Sequence, residues 1–321
     1  PHFSIIDERT AAELMNEARD RLLVKAHKSG SVPVANALTL MAELLNEEDF
    51  ASLMSDLSSR RTHLRSLFKR YGSIEAVIQA SRRALGLAQD ETTQSILDHA
   101  CDKNNFDMNA LFAATEALSG GTAPEKIMAE TLRGWFESDA ISRTATFDEI
   151  YKPFFLTKGN GLRKKLMTKK IAEANPDLLQ ALLDEQQRIA SINEHLRCVG
   201  VFLASQALIH LGHRLLDAFE QLKEARSLLD YDDLILKVRD LLQAEGGASW
   251  VHYKLDGGLD HVLVDEAQDT SPDQWDVIKA LAGDFFAGLG ASEGERTVFA
   301  VGDEKQSIYS FQGADPFMFG H

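Results

Sequence analysis

Cysteine is nearly absent from this 321-residue chain, where Cys101 and Cys198 stand alone. Two isolated thiols without metal-ligand spacing exclude a disulfide framework or a thiolate metal site and fit a reducing, cytoplasmic compartment. No apolar run approaches the roughly 20 residues that cross a bilayer, and no basic-then-apolar leader opens the chain, so neither membrane nor export is expected. Pro1 is not a natural start and suggests an internal piece of a longer polypeptide. Positive charge is outweighed as well: 34 Lys and Arg stand against 49 Asp and Glu, a formal net charge of −15, so any contact with a polyanion must be local. No Gly-Lys pair occurs, which excludes a Gly-x-x-x-x-Gly-Lys-Ser/Thr phosphate loop within these residues. Internal repeats and low-complexity tracts are missing too.

What is present is enough for two domains, since 44% of the residues are hydrophobic. Thr10 and Glu13 read as a capping box ahead of a helix that continues to about His27. Two further helices are expected over 35–45 and 47–70, then others over 74–85, 93–101 and 108–118, and one behind the Thr122/Glu125 capping box. From 178 to 222 an apolar stripe at helical spacing predicts one long helix or two stacked ones. Asp230 to Asp233 opens another helix, where Asp232 and Asp233 read as acids facing the helix dipole. His210 and His213 lie one helical turn apart but have no third ligand nearby.

One window, 151–170, holds seven basic residues and no acid: Lys152, Lys158, Arg163, Lys164, Lys165, Lys169 and Lys170. Gly159-Asn160-Gly161 between two apolar arms is hairpin chemistry. A basic ribbon could neutralise phosphates of a nucleic-acid duplex through Arg163, Lys164 and Lys165, though charge runs are often only solvated faces.

The richest stretch lies between Asp260 and Asp315. His261-Val262-Leu263-Val264 is an apolar run suited to a strand buried on both faces of a parallel sheet, and it stops at Asp265-Glu266. Ser271-Pro272-Asp273-Gln274 supplies an N-cap, a first-turn proline, a dipole acid and a capping-box glutamine for a helix ending near Ala282. Thr297-Val298-Phe299-Ala300-Val301 gives a second strand that stops at Gly302-Asp303, with Gln306 three residues on. In such a right-handed βαβ unit, ligands collect beyond the carboxyl ends of the strands, where Asp265, Glu266 and Asp303 sit.

Val264-Asp265-Glu266-Ala267-Gln268-Asp269-Thr270 and Val301-Gly302-Asp303-Glu304-Lys305-Gln306-Ser307-Ile308-Tyr309-Ser310-Phe311-Gln312-Gly313-Ala314-Asp315 together resemble motifs II and III of superfamily 1 DNA helicases of the UvrD/Rep type. Their wording is similar to that of AddA-type helicase-nuclease subunits of bacterial double-strand-break repair complexes. The resemblance implies a mainly α chain with a partial α/β, RecA-like (P-loop NTPase) portion: a helical accessory domain over 1–226, then the later part of the first RecA-like domain over 227–321. It implies ATP and Mg²⁺ as cofactors, with Asp265 holding the metal, Glu266 acting as catalytic base, Gln306 sensing the γ-phosphate and Asp303 supporting that loop. Gln268 and Asp269 would couple the site to its neighbours. Tyr309 and Phe311 would meet single-stranded DNA, with Phe311 as a stacking platform. Many relatives carry Arg where this chain has Gln312, so a cation expected in that loop to meet DNA or nucleotide is missing. The whole protein would carry a nuclease elsewhere and unwind duplex ends with an AddB-like partner subunit, while this piece alone would lack ATPase. The competing expectation is a non-catalytic helical module that binds another protein.

Overall fold

The computed structural model describes residues 3–29, 32–244, 251, 261–283 and 296–303. It is mostly helical with two small parallel sheets, and it divides into two compact units, Pro1–Ile78 with Gln206–His321, and Gln79–Ser205. The sequence places a boundary near Arg226. Within the first unit, β1 (Ser4–Ile5) pairs in parallel with β2 (Leu228–Leu229), which ties the start of the chain to a segment more than two hundred residues later.

In the first unit, α1 (Glu8–Ser29) begins two residues before the expected cap, because Asp7 rather than Thr10 is the capping side chain: Thr10 N donates to Asp7 Oδ1 at 2.8 Å. Ala11, Leu14, Met15, Ala18 and Leu22 form its buried stripe. After α2 (Val32–Leu44), the single helix expected over 47–70 is two, α3 (Glu47–Ser59) and α4 (Arg61–Tyr71). Arg60, at φ −95° and ψ 20°, breaks the ladder, and Ser58 and Ser59 hydroxyls bond back to the carbonyls of Met54 and Asp56. Gly72 ends α4 in the left-handed region, at φ 78°.

The second unit takes in most of α5 (Ile74–Ala84), then α6 (Thr93–Cys101), α7 (Met108–Ser119), α8 (Ala123–Glu137), α9 (Ala140–Ala145), α10 (Lys152–Phe155) and α11 (Lys169–Ala174). Phe147, Tyr151, Phe154 and Phe155 recur at helical spacing and are all buried, in a π turn (Phe147–Tyr151) running into α10. That stripe takes the place of the first hairpin arm. Trp135 stacks flat on Tyr151 at 3.8 Å, and the Tyr151 hydroxyl donates to Glu185 Oε1 at 2.7 Å. Burial, and then the Glu185 carboxylate, push that phenol well above its usual range. Arg188 donates to both oxygens of Glu185, sharing Oε1 (2.6 Å) with the Tyr151 hydroxyl and holding Oε2 at 2.7 Å.

The stripe from 178 to 222 is one continuous helix, α12 (Pro176–Ala225). Length and composition would let one window of it cross a membrane, contrary to the sequence reading, and 44% of that window is buried within the protein. Near its end, Lys223 is 2% exposed and donates to Asp233 (2.6 Å) and Asp230 (3.3 Å). Asp230 and Asp233 form the capping box of α13 (Tyr231–Gln243), and Asp232 pairs with Arg61 at 3.2 Å. These acids therefore do more than face a dipole. Cys101 and Cys198 are both free thiols.

Candidate functional site

β3 (His261–Val264) and β4 (Thr297–Ala300) run parallel, with Val264 opposite Ala300, so their carboxyl ends lie side by side. Backbone bonds continue past the strands: Val301 N donates to Val264 O and Ala267 N to Val301 O, both at 2.8 Å. The strands are not buried on both faces as expected. Leu263 is 70% and Phe299 62% exposed, because side chains alternate across a two-stranded ribbon and one face has no cover among the described residues.

Asp265, Glu266 and Asp303 are exposed at these ends, while Ala267 and Gln268 are buried. Glu266 takes a left-handed backbone, φ 50° and ψ 44°, which costs a non-glycine residue about 1–2 kcal/mol. Its N–H donates to Asp265 Oδ1 at 3.0 Å. Gln268 then bridges the two strand ends. Its Nε2 donates to Glu266 Oε2 at 2.6 Å, and its Oε1 accepts from Asp303 N at 2.9 Å. Gly302 allows this approach, since a Cβ there would press on Gln268 Oε1 and come within 3.0 Å of Gln268 N and 3.2 Å of Ala267 N. Sequence reasoning missed this role for Gly302, for which the glycine next to Asp303 was the available signal.

The Pro272–Ala282 helix follows with its predicted capping box, Ser271 N donating to Gln274 Oε1 at 2.8 Å. It packs against α13, where buried Arg239 pairs with Asp273. Gln306, Tyr309, Phe311 and Gln312 lie outside the described residues.

The basic window is built differently from the expected ribbon. Its antiparallel pairing is a single bridge, Leu156 with Leu162, closed by Thr157 N donating to Gly161 O at 2.8 Å. Asn160 turns through the left-handed region, at φ 61°. Lys158, Arg163, Lys164, Lys165, Lys169 and Lys170 are all exposed. Among the described residues no three potential His, Cys, Asp or Glu metal ligands converge, at His210 and His213 or elsewhere.

Residues 1–321 match the family described as UvrD/REP helicase N-terminal domain. An ATP-dependent helicase/nuclease subunit from Lactobacillus gasseri is 24% identical across 99% of this chain, which spans 27% of that protein. A protein of the same name from Latilactobacillus sakei is 37% identical over 36% of the chain and 12% of its own length. The RecBCD enzyme subunit RecB of Mycolicibacterium smegmatis is 38% identical over 29% of the chain and 8% of its length. The chain thus spans about a quarter, or less, of these relatives. With the match running from its first residue to its last, over a strand pair that ends in Asp265-Glu266 and Gly302-Asp303, the chain belongs to the UvrD/REP helicase N-terminal domain family.

Proposed function

We propose that this chain is part of an ATP-dependent DNA helicase of the helicase-nuclease kind, which works in the cytoplasm on broken duplex ends together with an AddB-like partner subunit. The observation that carries the reading is the Gln268 bridge between Glu266 and the backbone of Asp303, because it couples two acidic strand ends where a nucleotide would lie. In this reading residues 1–226 supply the accessory domain and 227–321 part of the first RecA-like domain. The donor set fits Mg²⁺: exposed carboxylates offer hard oxygen, and one or two of them plus phosphate oxygens suffice, so no protein cage is needed. Asp265 would hold the ion, which when bound neutralises phosphate charge. Glu266 orients and deprotonates the attacking water, with Gln268 fixing one of its oxygens. Asp303 steadies the following loop, in which Gln306 meets the γ-phosphate and Tyr309 and Phe311 meet single-stranded DNA. The exposed cations Arg163, Lys164 and Lys165 contact duplex phosphates.

The test has two arms. The 321-residue chain by itself should show no DNA-stimulated ATPase, since no Gly-Lys phosphate loop is present in it. In the full-length protein Glu266→Gln should keep nucleotide affinity and lose hydrolysis by about 10²–10⁴-fold. Normal turnover by the Gln variant would remove Glu266 from the role of base.

A further inference from the structure

The segment carrying Lys158, Arg163, Lys164 and Lys165 is tied down by two buried side chains that charge pattern alone does not reveal. Gln186, 3% exposed on α12, donates from Nε2 to the carbonyls of Phe155 (2.8 Å) and Arg163 (3.0 Å), one on each limb of the turn. Arg163 N donates to the same Phe155 carbonyl at 3.0 Å. At the far end, buried Glu125 accepts Thr168 N through Oε1 at 2.6 Å. Its Oε2 takes the N–H and hydroxyl of Thr122, at 2.9 and 2.7 Å. Leu156, Leu166 and Met167 plug the core on either side. The cations between these anchors keep their charge uncompensated: among the described residues no ion pair uses Lys158, Arg163, Lys164 or Lys165, and nearby pairs join Lys152 to Asp148 (2.5 Å) and Lys169 to Glu173 (3.6 Å).

We infer that Gln186 and Glu125 are positioning residues that hold this segment in the shape in which it grips duplex phosphates. The inference rests on the DNA-binding reading of the segment and adds to it a division between charge and shape. Neither side chain is positive and both are buried, so neither can neutralise a phosphate. Removing either leaves the number of released counterions, and hence the salt slope of binding, as it was. What changes is the number of backbone conformations that must be frozen on contact, which lowers affinity equally at every salt concentration.

The measurement is fluorescence anisotropy of a short blunt duplex titrated with the chain across a series of salt concentrations. Gln186→Met keeps the volume and loses both donors; it should bind about tenfold more weakly, with the parent's slope. Without DNA, trypsin should cut it faster after Lys164 and Lys165. The triple Arg163→Ala, Lys164→Ala, Lys165→Ala variant should instead flatten the slope, by about 0.9 for each phosphate no longer neutralised. Parent-like affinity in Gln186→Met beside a flattened triple variant overturns the positioning role alone. A triple variant that binds like the parent overturns the DNA-binding reading, and this inference with it. If Gln186→Met fails to melt cooperatively, a two-glycine insertion after Gly159 keeps every charge and the whole core. It should show the same weakening at unchanged slope, and undiminished affinity there refutes the proposal.

Discussion

Gly302→Ala tests how the two strand ends are joined. The added Cβ would press on Gln268 Oε1 and lie 3.0 Å from Gln268 N and 3.2 Å from Ala267 N. The backbone cannot withdraw freely, because Ala267 N is committed to Val301 O at 2.8 Å. Gln268 must therefore shift, giving up its bond to Asp303 N (2.9 Å) and its hold on Glu266 Oε2 (2.6 Å). Two hydrogen bonds at about 1 kcal/mol each, with 1–3 kcal/mol for overpacking, put the local cost at about 3–5 kcal/mol. Hydrogen exchange read by mass spectrometry is the assay, with Ala267 and Asp303 expected to lose protection about a hundredfold or more. Gln268→Ala removes the atom that the new methyl meets, so the double variant should fall short of additivity by about 1 kcal/mol or more. A Gly302→Ala protein within about 0.5 kcal/mol of the parent, or strictly additive costs, would refute the bridge as a structural coupling.

Two further outcomes are expected. Phe311→Ala in the full-length protein should cost about 1–3 kcal/mol of single-strand affinity and lower DNA-stimulated ATPase, while Phe311→Trp keeps both; wild-type stimulation of the Ala variant, measured against oligonucleotide concentration, sinks the stacking role. Burial alone would raise Asp230, yet the backbone N–H of Asp233 and the charges of Lys223 and Arg61 outweigh it and hold that carboxyl below its usual range. A carboxyl depressed in the folded state contributes stability that is full above its unfolded value and is lost as pH falls through the folded one, so the urea midpoint should drop below about pH 4. Lys223→Met, which takes the nearest cation from two buried acids and leaves Asp230 with Arg61 and Asp233 with Arg65, should cost about 1–3 kcal/mol at neutral pH, and an undiminished midpoint would refute that account.

Local chemistry was legible in the residues themselves. The Thr122/Glu125 and Ser271/Gln274 capping boxes, the long apolar stripe of α12 and both strands of the Asp265/Asp303 site are where short-range pattern placed them. What escaped depends on partners far along the chain. Glu125 reads as a cap, and its second duty to Thr168, 43 residues away, leaves no local trace. Gln186 reaches carbonyls 31 and 23 residues away, and an interior glutamine on a helix looks like any surface amide. The break at Arg60 has no Gly or Pro to announce it. Phe154 and Phe155 suggest a strand by residue type, and only their spacing from Phe147 and Tyr151 betrays the helical stripe. For the strands, residue type indicates burial, but cover depends on neighbouring elements, and among the described residues none covers Leu263 or Phe299.

The left-handed backbone at Glu266 has a consequence for anyone who screens this protein for heat resistance. A side chain in that conformation works against the fold, while glycine adopts it freely and asparagine nearly so. Replacing Glu266 by either would relax the turn by about 1–2 kcal/mol but give up the bond that buried Gln268 Nε2 donates to Glu266 Oε2, so the two effects on melting temperature oppose one another. On the proposed reading of Glu266 as base, either replacement would also end turnover, so backbone strain at position 266 is set against function. A deep mutational map that recorded both melting temperature and ATPase would mark this residue by that conflict.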